Sequence, residues 1–141
     1  MRTSGDGGAL TVTECVRALR SVPTGRLLYT EDALPAVRLV TFAAPRSEIV
    51  IATENDDWFG RFDRMFVAFE AGRVESGTRA GWSVVVLGHA RIATGSEYPS
   101  GFDHSGLAPW TVQSSDGYLV LDIEDVTGRR MTLPRLVGDH R

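Results

Sequence analysis

Gly81-Trp82-Ser83-Val84-Val85-Val86-Leu87-Gly88-His89-Ala90-Arg91-Ile92 is the longest uninterrupted strand signal in the chain. At period two, Trp82, Val84, Val86, Gly88, Ala90 and Ile92 share one side, and Ser83, Val85, Leu87, His89 and Arg91 share the other. The first side is apolar throughout. The second turns polar at His89, as a strand does when it leaves a covered region for water or a cavity. Gly88 sits at the changeover, and an isolated glycine inside a strand marks a bulge or a close backbone approach. The stretch therefore predicts a long strand that bends in a barrel wall.

Working outward, strand signals recur on both sides. Gly25 to Thr30, Pro35 to Phe42 and Glu48 to Thr53 form an antiparallel meander, with turns at Glu31-Asp32 and Ala44 to Ser47. Phe66 to Glu70 precedes the long strand, and Tyr118 to Ile123 and Val126 to Leu133 follow it. A turn at Gly128 is expected to open the last of these, with Arg129-Arg130 just after it. Upstream, Thr11 and Glu14 make a capping box, and Val12, Cys15, Val16 and Leu19 recur at helical spacing, so a short helix runs from about Val12 to Ser21. Trp58, Phe62 and Met65 fall on one helical face, which predicts a short helix over Trp58 to Arg64. Thr94 to Ser115 is broken by glycine and proline.

This pattern, with a single good helix and no internal repeat, describes a mainly β chain folded as an antiparallel barrel or sandwich. The domain is expected over residues 11–133, between a flexible leader (1–10) and a flexible tail (134–141). At 141 residues the chain is long enough for one core without metal or disulfide staples. No apolar run approaches the ~20 residues of a membrane span, and no secretory signal is visible. Cys15 is the only cysteine, so the expected compartment is a reducing cytoplasm. The formal charge of −3 argues against a general nucleic-acid binder.

All 15 basic residues are arginine. The absence of lysine excludes Schiff-base chemistry, and with it covalent pyridoxal phosphate catalysis. Any phosphate must be held by arginine, hydroxyls or backbone N–H groups. No group of His, Cys or carboxylates shows metal-ligand spacing, so no metal site is expected. His89 is read as a solvated histidine. Arg38 shares its face with Val40 and Phe42, which leaves two readings, a cofactor cation or a charge on a half-covered strand face.

The order of these signals resembles that of the pyridoxamine 5'-phosphate oxidase-like split-barrel superfamily. The residues that carry the resemblance are Gly25-Arg26-Leu27, Pro35-Ala36-Val37-Arg38, the strand ending in Thr53, Val67-Ala68-Phe69-Glu70, Gly81-Trp82-Ser83-Val84, Leu107-Ala108-Pro109-Trp110 and Thr127-Gly128-Arg129-Arg130. They look most like the small bacterial branch related to nitroimidazole-resistance proteins, over roughly Thr13 to Leu133. The resemblance implies a six-stranded antiparallel split β-barrel with short connecting helices, a homodimer, and FMN bound in clefts at the dimer interface. By position it implies that Arg38, Leu39, Val40 and Thr41 lie along the isoalloxazine and that Ala52, Thr53 and Asn55 lead into the phosphate site. Arg61 would supply a cation there, Trp82 and Ser83 would begin an interface strand, Trp110 would close over the partner's cleft, and Arg129 would reach a ligand phosphate. The activity implied is that of a flavin-dependent oxidoreductase on a small molecule.

One departure stands out. Where flavin-binding members place a small residue, a hydroxyl residue and a cation after the third strand, this chain reads Thr53-Glu54-Asn55-Asp56-Asp57-Trp58. At ~5 Å and an effective dielectric of ~20, each carboxylate repels a phosphate charge by about 3 kcal/mol. Arg61 and Arg64 are the nearest compensating cations in sequence. The alternatives are therefore a dimeric split-barrel binding module that has lost FMN, or a relative that takes a deazaflavin or haem.

Overall fold

The computed structural model describes residues 8–53, 57–93 and 117–134. The elements are α1 (Val12–Leu19), β1 (Thr24–Glu31), β2 (Leu34–Ala43), β3 (Glu48–Ala52), a 3-10 turn (Asp57–Phe62), β4 (Phe66–Val74), β5 (Ala80–Ala93), β6 (Tyr118–Asp122) and β7 (Asp125–Thr132). Pairing runs β4-β1-β2-β3-β6-β5, and β4 pairs again with β5, which closes a six-stranded antiparallel barrel. The fold expected from the sequence is thus the fold observed.

The long strand is the hinge of this topology. One edge of β5 pairs with β4 from Gly81 to His89. Its other edge serves two partners in turn, β7 from Ala80 to Leu87 and β6 from Ala90 to Ala93. Gly88 lies where the partner changes. A Cβ there would approach the Asp122 carbonyl oxygen to 1.8 Å, so the expected close backbone approach is the reason for the glycine. At the same break the Glu124 carboxylate accepts from the His89 backbone N–H at 2.7 Å, and the Glu124 N–H donates to the Leu87 carbonyl at 3.1 Å. A side chain thereby supplies the acceptor that the interrupted ladder lacks. His89 is exposed, and its Nδ1 lies 2.7 Å from the same Glu124 oxygen. Those hydrogen bonds hold the Glu124 carboxyl below its usual pKa.

Alternation sorts the barrel into two faces. Leu27, Val40, Phe42, Val67, Phe69, Val84 and Val86 point in and are buried. Phe42 and Phe69 meet edge to face at 4.7 Å in the middle. One end of the barrel is plugged by α1. Thr11 caps it with both hydrogen bonds of a capping box, and Cys15 and Leu19 pack into the core. Burial raises the Cys15 thiol above its ordinary pKa. The 3-10 turn closes the other end, where Phe59 and Phe62 join the same core. It is sewn to the end of β5 by Ile92 N–H to Asp63 Oδ1 (2.9 Å), Arg64 N–H to the Ala90 carbonyl (2.7 Å) and Ala90 N–H to the Met65 carbonyl (2.8 Å).

Several boundaries differ from those expected. β4 continues past Glu70 to Val74, because Gly72 and Arg73 pair in register with Ser83 and Trp82 despite their weak strand propensity. Gly128 opens no turn but lies inside β7 opposite Val84, and Arg129 and Arg130 are strand residues. The predicted helix at Trp58 is a tighter 3-10 turn. Ala9 bridges Arg129, and the Leu10 N–H donates to the Gly128 carbonyl at 2.9 Å, so residues just ahead of α1 line the outer edge of β7.

Candidate functional site

The expected site residues do not form one cluster within a chain. Asn55 and Trp110, together with the carboxylates Glu54 and Asp56, lie outside the described residues. The others divide by strand period and by barrel end.

On β2 the stretch Arg38 to Thr41 alternates. Leu39 and Thr41 point outward, and Leu39 is 65% exposed beside Val37 at 58%. Arg38 and Val40 point inward, Val40 into the core and Arg38 to the barrel mouth. There the Arg38 guanidinium lies 4.1 Å from the ring centroid of Trp58 and 5.3 Å from that of Phe59. Arg61 approaches the same Trp58 ring at 5.1 Å and pairs with Glu31 at 3.0 Å. Tyr29 and Phe62 hold Trp58 from its edges, at 5.3 and 4.9 Å. The two guanidiniums thus converge just beyond the exit of β3. Arg64, the other cation near Arg61 in sequence, adopts a left-handed backbone (φ 68°) just after the 3-10 turn. The cation that joins Arg61 is Arg38, brought from β2 by the fold. The available signal was the run Trp58-Phe59-Gly60-Arg61-Phe62, whose aromatic density needs a cationic or apolar neighbour.

Ala52 and Thr53 are buried at the end of β3, and the Thr53 hydroxyl donates to the Gly117 carbonyl at 3.2 Å. That bond ties the exit of β3 to the chain entering β6.

Ser83 and Arg129 are directly opposite each other on the outer face. The Ser83 hydroxyl donates to Glu70 Oε2 at 3.3 Å, and the other oxygen of that carboxylate pairs with Arg26 at 2.8 Å. Beside this polar patch runs an apolar row. Val37, Leu28, Ala68 and Leu87 are successive cross-strand partners on β2, β1, β4 and β5. Trp82 points the other way, toward the α1 end, eight residues along β5 from the segment that touches the 3-10 turn, or ~26 Å at strand rise.

Among the described residues no group of His, Cys, Asp and Glu could hold a metal ion, and no helix is long and apolar enough to cross a membrane.

With this geometry in hand, the chain belongs to the pyridoxamine 5'-phosphate oxidase family, whose model matches residues 11–130. It is similar to the uncharacterised protein Rv0080 of Mycobacterium tuberculosis, at 30% identity over 128 residues that cover 84% of this chain and 81% of the relative. Among solved structures it resembles a candidate pyridoxamine 5'-phosphate oxidase of Corynebacterium glutamicum, with a TM-score of 0.68 and 26% identity over 92% of this chain and 98% of that one. It also resembles the FAD binding protein of Mycobacterium smegmatis, with a TM-score of 0.66 and 23% identity over 87% of this chain and 96% of that one. The last likeness speaks to the fold alone.

Proposed function

We propose that this protein is a homodimeric flavin-binding split-barrel protein that acts as a flavin-dependent oxidoreductase on a small molecule. The observation that carries the reading is the convergence of Arg38 and Arg61 on Trp58 at the exit of β3. It adds Arg38 to Arg61, the cation already expected after Thr53, so the residues present fit a flavin phosphate better than the loop sequence does. In this reading the isoalloxazine lies against the outward residues Leu39 and Thr41. Arg38 and Arg61 hold the phosphate of FMN or the diphosphate of FAD, and the backbone after Ala52 and Thr53 leads into that site. FAD stands beside FMN as a ligand because a solved relative binds it.

The second copy is proposed to cover the outer face. Val37, Leu39 and Phe66 are each more than half exposed in one chain, and the row from Val37 to Leu87 spans four strands, ~14 Å of apolar sheet. Ser83 and Arg129, on the same face, would then meet the flavin held by the partner. When bound, the flavin supplies the hydride or electron transfer. The chain's own residues bind it, orient it and keep water from its face.

Two measurements test this reading. Protein as purified should show flavin absorption bands or, if it emerges colourless, should quench the fluorescence of added FMN or FAD saturably. Light scattering should give a dimer, and Leu39→Glu should shift it toward monomer. A colourless protein that quenches neither flavin would overturn the proposed function, and a monomer at micromolar concentration would overturn the shared site.

A further inference from the structure

We propose a second ligand site at the opposite end of the barrel: the cleft between α1 and the β4–β5 hairpin binds a small aromatic anion, a flat ring carrying a phosphate or carboxylate. The cleft has a volume of about 530 Å³, within the range of small-molecule sites. The wall is a cross-strand row. Arg73 on β4, Trp82 on β5 and Arg130 on β7 are direct register partners, all on the inward face. The two arginines therefore stand one strand either side of the indole, ~10 Å apart at the strand spacing. Facing them, Glu14, Arg17 and Ala18 on α1 and Ser21 just past its C-cap fall on one stripe.

The charges are unevenly compensated. Glu14 neutralises Arg130 at 2.8 Å, and its carboxyl is held below the ordinary glutamate pKa by the Thr11 backbone hydrogen bond first and by that contact next. Glu75 at the rim accepts from Thr78 within its own turn. Among the described residues no carboxylate pairs with Arg17 or Arg73, and no ring or guanidinium is stacked on Trp82. A half-buried indole with an open face beside two unmatched guanidiniums offers what an aromatic anion requires: ring stacking plus charge-assisted hydrogen bonds. A neutral ring would leave both cations unmatched, and a bare anion would leave the indole wet. The site shares no residue with the Arg38–Trp58–Arg61 corner, so it stands or falls apart from the flavin.

The probe is phenyl phosphate, titrated calorimetrically into the full-length protein, with benzyl alcohol and inorganic phosphate as the neutral and ring-free controls. One equivalent per chain should bind, at least tenfold more tightly than either control. Arg17→Gln and Arg73→Gln, both exposed and so neutral to folding, should each weaken binding by about tenfold, the loss of one charge-assisted hydrogen bond. Trp82→Phe should weaken it less, and Arg38→Gln should leave it unchanged. Failure of phenyl phosphate to bind the full-length chain at millimolar concentration would overturn the proposal. So would an affinity that the Arg17→Gln/Arg73→Gln double variant leaves intact. Flavin quenching measured on the same double variant should be unaltered, which separates failure here from failure of the proposed function.

Discussion

Each end of the barrel sets a tryptophan between two arginines, one of them paired with a glutamate. At the 3-10 end Trp58 lies between Arg38 and Arg61, with Glu31 on Arg61. At the α1 end Trp82 lies between Arg73 and Arg130, with Glu14 on Arg130. The composition is the same and the packing is not. Trp58 sits on a tight turn among Tyr29, Phe59 and Phe62, so rings hold it at its edges and the guanidiniums approach the ring itself. Trp82 sits within a ladder, where its flanking arginines are held by strand spacing and no described group stacks on its ring. An arginine–tryptophan set thus brings guanidiniums against the ring in one backbone setting and leaves the ring uncovered in the other.

The largest effect should come from dismantling the closed end. Phe62→Ala removes a ring that is 2% exposed and touches both Tyr29 and Trp58. A loss of about 3–5 kcal/mol is expected in urea unfolding, with the near-UV dichroism of Trp58 flattened. Gly128→Ala attacks the other end by overpacking. The added methyl would lie 2.7 Å from Cys15 Sγ and 3.0 Å from Leu10, so about 1–3 kcal/mol should be lost as α1 lifts. Cys15, buried at 1% exposure, should then react faster with a thiol reagent, and an unchanged rate would mean that α1 is not what shields it.

A paired comparison of arginines is sharper. Arg38→Gln should cost about 0.5–2 kcal/mol through its contact with Trp58, whereas Arg73→Gln should fall within about 0.5 kcal/mol of wild type. Equal costs would erase the distinction between the two ends.

The smallest effect is the part of the pH dependence that arises at the α1 end. The Glu14 carboxyl is held below its ordinary value of 4.5 by the Thr11 backbone N–H first and Arg130 next. Its contribution is therefore complete above that value and lost as pH falls through the lowered folded pKa. Arg130→Gln should lessen the Glu14 part of the acid limb of the stability profile, and Arg61→Gln should leave that part alone.

The barrel was legible because its signals are local and periodic. The alternation along β5, the glycine at its changeover and the Thr11–Glu14 capping box each act within a few residues. The end of β4 was hidden because Gly72 and Arg73 are held by pairing with β5, which propensity does not report. Likewise Glu124 gave no sign that it would complete the ladder at His89, 35 residues away. The candidate site was half visible. The inward direction of Arg38 followed from Val40 and Phe42, but its partner Trp58 required the fold. Period two also places the side chains of neighbours such as Arg38 and Leu39 on opposite faces.

In the proposed flavin site Arg38, meeting Arg61 at Trp58, stands in for the phosphate cation missing after β3. Fluorescence titration of FMN and of FAD against wild type and Arg38→Gln tests it directly. Wild type should quench saturably, with affinity weakened about tenfold or more in Arg38→Gln and unchanged in the Arg17→Gln/Arg73→Gln double variant. Quenching by Arg38→Gln equal to that of wild type would contradict it.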